Sequence, residues 1–208
     1  MNTKTVAGID VGGDKKGCHL VILEGSRAFR PVNTNTPQEM LQACLDHGVQ
    51  AVGIDAPCQW GVEGEGRRAE RELARQRIFS FATPTRKRAD ENPGRFYRWM
   101  FNGEAIYQAF SSAFPLLTSR DFQGGRVSFE TFPHAVTCAL RGQEGTSAKE
   151  KRRQRPEVLE NAKIDISGLK SIDDFDAALC ALTARYLVEG RTYAYGDMEG
   201  GYIHVPIP

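Results

Sequence analysis

The stretch Thr5-Val6-Ala7-Gly8-Ile9-Asp10-Val11-Gly12-Gly13 determines how the rest of the chain is interpreted. Its short β-branched run stops at two glycines, a pattern typical of a core strand followed by a turn. Asp10 lies inside this run, and a buried carboxylate is costly unless something compensates its charge. The stretch therefore predicts a core strand whose acid is compensated by a metal ion, by a hydrogen-bonded network or by water at an open strand end.

The residues after this first strand predict an antiparallel meander. A glycine-containing turn leads into an apolar strand at residues 17–23, which is close enough in sequence to pair with the first strand as a hairpin. A third short strand is expected around residues 28–32, after the turn at Glu24-Gly25-Ser26.

A second apolar strand also ends in an acid. Residues 49–57 run into Gly-Ile-Asp55 and stop at a proline. They follow a predicted helix that has Thr36 as its N-cap and ends at Gly48. A strand, helix, strand crossover makes the two strands parallel members of one sheet, so Asp10 and Asp55 are expected at the same carboxyl edge. Ligands bind at that edge in open α/β sheets.

Composition limits what can be built around these acids. The chain has 208 residues, enough for one core, and we expect a single domain over residues 1–208. The net charge of +1 predicts no global attraction to nucleic acid or membrane. Five widely spaced cysteines without a CxxC pair indicate reduced core thiols. With no apolar segment of membrane-spanning length and no leader-like N-terminus, the sequence predicts a cytoplasmic protein without membrane association.

Residues 60–125 do not continue the regular order of strands and helices, and we interpret them as a helical insertion that begins with a flexible lead at residues 61–66. The insertion carries a helix rich in arginine and glutamate at residues 67–77, a basic cluster at 86–88 and several aromatic residues. One interpretation is a solvated, ion-paired helix. The other is a basic, partly aromatic flap over the acidic edge that binds phosphates or a nucleic-acid backbone. The candidate substrate-binding residues are Arg67, Arg71, Arg86 and Lys87.

Two further acids lie on core elements. Residues 125–133 predict a strand in which Glu130 points to the opposite face from Phe129. The last long helix, at residues 171–187, starts with a capping-box-like Ser171 and Asp174. Asp176 lies past this cap, just before a run of small and apolar residues that should pack flat against the sheet.

Two other segments have simpler interpretations. The charged run at residues 149–155 is more typical of a solvated surface than of a binding site. The tail, with a turn at residues 196–201 and a strand at 202–206, predicts a terminal strand that covers an edge of the sheet.

Asp10, Asp55, Glu130 and Asp176 are therefore the candidate catalytic and metal-binding residues. Four carboxylates close together would repel one another, which raises some of their pKa values and lowers stability. Mg²⁺ or Mn²⁺ removes this conflict, because both ions prefer hard oxygen ligands. A pair of such ions about 4 Å apart can activate a water and stabilise a leaving oxygen in phosphodiester hydrolysis. The constellation predicts metal-assisted phosphoryl transfer.

Six motifs along the chain carry a resemblance to a known family. They are Gly8-Ile-Asp10, Gly53-Ile-Asp55-Ala-Pro57, Arg67 to Arg71 with Glu70, Phe129-Glu130-Thr-Phe-Pro133-His134-Ala135, Asp176-Ala-Ala-Leu-Cys-Ala-Leu-Thr-Ala184, and Gly196-Asp197 to Ile203-His-Val-Pro206. These motifs resemble the domain of unknown function 429 family, a group of expected RNase H-like nucleases, and the order of the elements resembles the RNase H-like fold. The resemblance implies an α/β fold with a mixed sheet, a three-strand antiparallel meander, flanking helices and a helical insertion. It also implies an acidic metal site at the four candidate acids and nuclease activity on DNA or RNA.

Two other functions stay open beside the nuclease. Asp10-Val-Gly-Gly-Asp-Lys resembles the phosphate-binding hairpin of the actin-like ATPases, which suggests a sugar-kinase-like phosphotransferase. Such enzymes need two lobes around the nucleotide, whereas 208 residues hold one. The third possibility is a catalytically silent module that binds nucleic acid or a protein.

Overall fold

The computed structural model describes residues 4–32, 34–62, 66–92, 94 and 96–208. The flexible lead expected at residues 61–66 includes residues 63–65, which lie outside the described part of the chain.

A mixed sheet of seven strands forms the centre of the protein, in the order β3-β2-β1-β4-β5-β7-β6. β1, β2 and β3 pair antiparallel as a meander. β4 pairs parallel with β1, β5 with β4 and β7 with β5, whereas β6 pairs antiparallel with β7. The strands are β1 (Val6–Val11), β2 (Cys18–Glu24), β3 (Arg27–Phe29), β4 (Ala51–Asp55), β5 (Val127–Thr131), β6 (Thr192–Asp197) and β7 (Gly201–Pro206).

Helices cover both faces of this sheet and fill the insertion between β4 and β5. A short 3₁₀ helix, Ala148–Glu150, precedes α6. The α-helices are α1 (Pro37–Asp46), α2 (Arg68–Arg75), α3 (Arg86–Asp90), α4 (Arg98–Phe110), α5 (Pro133–Arg141), α6 (Lys151–Asn161) and α7 (Ile172–Val188). The predicted α/β fold, a mixed sheet with a three-strand antiparallel meander and flanking helices, is confirmed.

The crossover helix α1 begins as the sequence predicts. The side chain of Thr36 accepts a hydrogen bond from the Glu39 backbone amide at 3.2 Å, and the Glu39 carboxylate accepts one from the Thr36 amide at 2.9 Å. This reciprocal capping box satisfies two amides that the first turn would otherwise leave unpaired.

Strand alternation assigns every second residue of β1 and β4 to one face of the sheet. Val6 of β1 and Ala51 of β4 pack in one cluster with the alanine-rich α7. Ile9 and Ile54 lie in the cluster on the other face, with α1 and α4. Gly8 and Asp10 share the parity of Val6, so they face α7.

The close approach of α7 to the sheet depends on glycine. A Cβ atom on Gly8 would lie 2.1 Å from the carbonyl oxygen of Ala177 and 2.2 Å from the amide nitrogen of Ala181. A Cβ atom on Gly53 would lie 2.5 Å from the carbonyl oxygen of Cys180. The helix therefore packs with its backbone directly on these two strands, as the run of small residues predicts.

The terminal strand is not at an edge of the sheet. β7 lies between β5 and β6, and β6 is the strand that forms the edge. The prediction that the tail covers an edge is therefore wrong. It missed β6, which supplies β7 with a second partner through the turn at residues 198–200.

Two charged segments are more buried than their sequences predicted. The run at residues 149–155 was expected as solvated surface, but much of it belongs to α6, where Gln154 and Arg155 are buried. In α2, Ala69 and Leu73 are buried against β7 residues, so this helix contributes to a small core cluster. Charged side chains therefore cover apolar faces in both helices.

All five cysteines are free thiols, and three of them are buried. Within the described residues, no helix is both long and apolar enough to span a membrane.

We expect Gly8→Ala to destabilise the protein by roughly 2–4 kcal/mol, because the atoms that its Cβ would strike belong to the backbone of α7 and cannot rotate away. Gly13→Ala is the matched control, since no atom lies within 4 Å of its added Cβ. Denaturant unfolding measures both free energies. Equal losses in the two variants would show that α7 does not rest on Gly8.

His204 of β7 is fully buried, and both ring nitrogens lack a hydrogen-bond partner among the described residues. Burial lowers the pKa of His204 to about 4. The folded state therefore stays neutral while the unfolded state takes up a proton below a pH of about 6.5, so stability is lost as the pH falls from about 6.5 to about 4.

We expect His204→Leu to remove this loss. At about pH 5 the variant should gain roughly 2 kcal/mol more, relative to wild type, than at about pH 8. Unfolding free energies of both proteins across this range measure the gain. A difference between the two proteins that does not change with pH would contradict the assignment of a neutral buried histidine.

Candidate active site

Asp10 and Asp55 lie side by side at the carboxyl ends of two parallel strands. They are register partners in the β1 and β4 pairing, and neighbouring strands are about 4.8 Å apart. Register partners point to the same face, so both side chains are directed toward α7. The prediction that the crossover brings these two acids to one edge agrees with the observed register.

Asp176 approaches the same face from the first turns of α7. Burial raises the pKa of Asp10 to about 7, and the charges of Asp176 and Asp173 raise it further against the opposing effect of two lysines. Burial is also the largest cause that raises the pKa of Asp55 well above its usual value, and the charges of Asp10 and Asp176 raise this pKa further. The three carboxylates therefore share one electrostatic environment in which each disfavours the charge of the others.

Asp10 and Asp55 have no compensating donor. In the described parts of the chain, neither carboxylate accepts a hydrogen bond or forms an ion pair. A half-buried carboxylate without a donor or an ion-pair partner is unfavourable, and groups with such perturbed pKa values are concentrated at functional sites. Within the described chain, these two side chains are therefore the acids of this edge that no hydrogen bond or ion pair compensates.

Asp176, in contrast, has a partner. The guanidinium group of Arg155 in α6 forms a buried ion pair with the Asp176 carboxylate and donates a hydrogen bond to the hydroxyl of Thr137 at 2.8 Å. Burial raises the pKa of Asp176, and the charge of Arg155 opposes this effect. The arginine therefore supplies a fixed positive charge next to the three acids.

Glu130 lies on the other face of the sheet. Its register partner is Ile54, which packs with α1 and α4, so strand alternation directs Glu130 away from α7. The Arg67 guanidinium binds both Glu130 oxygens, at 2.6 and 2.7 Å, and the Cys58 amide donates to the same carboxylate at 2.8 Å. The structure thus places the Glu130 carboxylate on the opposite face from the other three candidate acids and pairs it with Arg67, while its charge still contributes to the raised pKa of Asp55.

Arg67 is enclosed by these contacts. It is buried, and its Nε donates to Glu70 at 2.9 Å in addition to the bidentate pair with Glu130. Burial disfavours the charge on Arg67, but the Glu130 carboxylate outweighs it and raises the pKa of the guanidinium. This arginine, predicted to bind substrate, instead connects α2 to β5.

The other three predicted substrate-binding residues lie on the outside of the insertion. Arg71 is exposed, and its guanidinium donates to the carbonyl of Gly66. Arg86 pairs with Glu104 at 2.9 Å and lies over the rings of Trp60 and Phe101. Lys87 is exposed, with Glu91 4.0 Å away.

The donor set bears on the expected metal ion. Carboxylate oxygens are the ligands that Mg²⁺ and Mn²⁺ prefer, and a cation would offset the burial and the repulsion that raise the Asp10 and Asp55 pKa values. Across the described ranges, no three acidic, histidine or cysteine side chains already converge closely enough to enclose an ion. The residues that fit an ion are therefore Asp10 and Asp55, with Asp176 beside them in its pair with Arg155.

Sequence reasoning missed Arg155, although a signal was present. Arg155, Val158 and Leu159 are spaced three and four residues apart, and all three are buried on one side of α6. Arg155 therefore belongs to the apolar stripe of its helix. Testing the charged run for helical periodicity would have separated this residue from its solvated neighbours.

Known proteins and family models show what this chain is similar to. The comparison with curated proteins finds no match. Among solved structures, a Thermus thermophilus RuvC structure matches with 17% sequence identity and a TM-score of 0.42, covering 89% of this chain and 96% of that chain. The model of a protein family of unknown function, DUF429, matches residues 8–200. Because this match spans most of the chain, the protein belongs to the DUF429 family.

Proposed function

We propose that the protein is a divalent-metal-dependent phosphodiesterase that acts on nucleic acid, DNA or RNA, and uses Mg²⁺ or Mn²⁺. The observation that carries the proposal is the pair of register-adjacent, half-buried carboxylates, Asp10 and Asp55, which have no hydrogen-bond donor and no ion-pair partner in the described chain. A fold keeps such a costly pair only where another interaction compensates it.

The charges in direct contact favour one divalent ion. Arg67 offsets Glu130, and Arg155 offsets Asp176. Asp10 and Asp55 keep two negative charges between them when both are ionised. This balance matches a single divalent cation, whereas the four carboxylates taken without their arginines would suggest two. We therefore propose one ion held by Asp10 and Asp55, with Asp176 completing the site and Glu130 bordering it from the other face.

The residues of the proposed site have separate roles in binding the ion and the substrate. A divalent ion, when bound, acts as a Lewis acid and lowers the pKa of a water. Asp10 and Asp55 would hold it at the strand ends, and Arg155 favours the ionised form of the Asp176 carboxylate and orients it beside them. Arg71, Arg86 and Lys87 lie on the outside of the insertion, where their charges can contact phosphates of the substrate.

Removing one acid should relieve the repulsion. The folded-state pKa of Asp10 is raised to about 7, so stability is present while the carboxyl is protonated and is lost as the pH rises from about 4 through about 7. In the presence of a chelator, Asp10→Asn should be more stable than wild type by roughly 2–4 kcal/mol at about pH 8, with little difference at about pH 4.

Denaturant unfolding at both pH values measures this difference. Asp121→Asn is the control, because Asp121 is an exposed acid outside the site and its replacement should change stability little at either pH. A destabilised Asp10→Asn at high pH would contradict the view that the carboxylate is uncompensated.

Metal binding tests the function itself. We expect titration calorimetry with Mn²⁺ to find one ion per wild-type chain and none for Asp10→Asn or Asp55→Asn, with Asp121→Asn unchanged. Cleavage of labelled DNA and RNA strands should require the added metal and be abolished in the same two variants. Two ions per chain would contradict the charge balance, and metal binding that survives in both variants would refute the site.

A further inference from the structure

The insertion carries a group of aromatic rings that are partly open to solvent. Phe96 is 61% exposed and Phe81 is 41% exposed. The ring centroid of Phe81 lies 5.3 Å from that of Phe96 and 6.1 Å from those of Tyr97 and Trp99. We call Phe81, Phe96, Tyr97 and Trp99 the aromatic cluster. Exposed apolar area of this kind on a water-facing surface indicates a binding site.

Three cavities lie beside the aromatic cluster. One of about 510 Å³ is lined by Tyr97, Arg98 and Asp14, and one of about 630 Å³ is lined by Phe81, Tyr97 and Lys87. A smaller cavity of about 60 Å³ is lined by Phe81, Trp99 and Asp55. Phe81 lines both the 630 Å³ cavity and the small one, so the aromatic cluster lies next to the strand end that carries Asp55.

The rim of the larger cavity is mainly basic. Lys87 and Arg88 line it, and both are exposed. Glu91 is the acidic residue among the described lining residues, and its carboxylate lies 4.0 Å from the Lys87 ammonium group. The side chain of Arg88 forms no ion pair within the described ranges. Exposed pairs of this kind contribute little, so both cations can bind an anion.

We propose that this surface binds single-stranded nucleic acid, with unpaired bases stacked on Phe96 and Phe81 and phosphates at Lys87 and Arg88. Aromatic rings next to cations are the combination that binds single strands, because bases offer their faces and phosphates their charge. In a duplex the base faces are already stacked on each other, so they cannot contact the rings.

This inference rests on the proposed function for the chemistry at Asp55, but binding at the aromatic cluster does not need the metal. A protein partner with an apolar segment would use the rings without the cations. The basic rim of the cavity therefore favours nucleic acid as the occupant.

The test is fluorescence anisotropy with a labelled single-stranded DNA, the same sequence in RNA and the corresponding DNA duplex, all in EDTA so that no cleavage occurs. We expect wild type to bind the single strands more tightly than the duplex. Phe96→Ala and Phe96→Leu should each weaken single-strand binding by roughly 10-fold, because one stacked base contributes about 1–3 kcal/mol. Since Phe96 is largely exposed, neither change threatens the fold.

Phe79→Ala is the matched control. Phe79 is another phenylalanine of the insertion, 72% exposed, with no ring contact to the aromatic cluster among the described residues. It should bind single strands as wild type does. Lys87→Ala and Arg88→Ala should weaken binding and reduce its dependence on salt concentration.

Several results would overturn the inference. Equal effects of Phe96→Ala and Phe79→Ala would show that the cluster is not the site, and full binding by Phe96→Leu would show an apolar contact instead of stacking. A preference for the duplex, or no binding of any nucleic acid, would refute the proposed occupant. The proposed function is tested separately: Asp10→Asn should keep single-strand binding in EDTA while losing metal binding and cleavage.

Discussion

The contact between the backbone of α7 and the two glycines of the central strands is the constraint on which the rest of the structure depends. Gly8 and Gly53 leave no room for a side chain beneath Ala177 and Cys180, so the helix lies directly on β1 and β4. Two residues further along each strand, the same alternation places Asp10 and Asp55 on the face that the helix covers. The packing that forms the core therefore also leaves both acids half-buried beneath the start of α7, next to Asp176.

Charge compensation then divides the acids into two kinds. Glu130 and Asp176 each contact an arginine, and removal of one partner from a buried pair of this kind leaves an uncompensated charge. Asp10 and Asp55 have no ion-pair partner among the described residues; burial first and neighbouring acids second raise both pKa values, which reduces the stability of the folded state. A protein is expected to depart from full compensation at functional sites and to balance that loss elsewhere. In this fold, the extensive packing of α7 on the sheet offsets the stability that the two acids cost.

Local patterns predicted the parts of the structure that depend on local physics. The meander, the capping box at Thr36, the crossover to Asp55 and the long helix α7 follow from turn residues, caps and periodicity. The position of β7 could not be derived in this way, since it depends on pairing between strands distant in sequence. The alternation of β5 was visible in the sequence, yet the face on which Glu130 lies relative to Asp55 depends on strand register, which one strand alone does not reveal. Arg155 was missed because, as a charged residue in a charged run, it was not counted with the buried apolar residues on the same side of its helix.

The position of Glu130 also explains how the insertion is attached to the sheet. Its carboxylate binds Arg67 at the start of α2, Arg67 binds Glu70, and Glu70 accepts hydrogen bonds from the backbone amide and hydroxyl of Thr83. This buried chain of charge-assisted contacts runs from β5 to a residue two positions after Phe81. Such contacts are stronger than neutral ones and fix the groups that they join. An acid that the sequence suggested as a metal ligand thus holds the insertion in place, and the distance between the aromatic cluster and the acidic edge is set by this chain instead of by the length of the connecting loops.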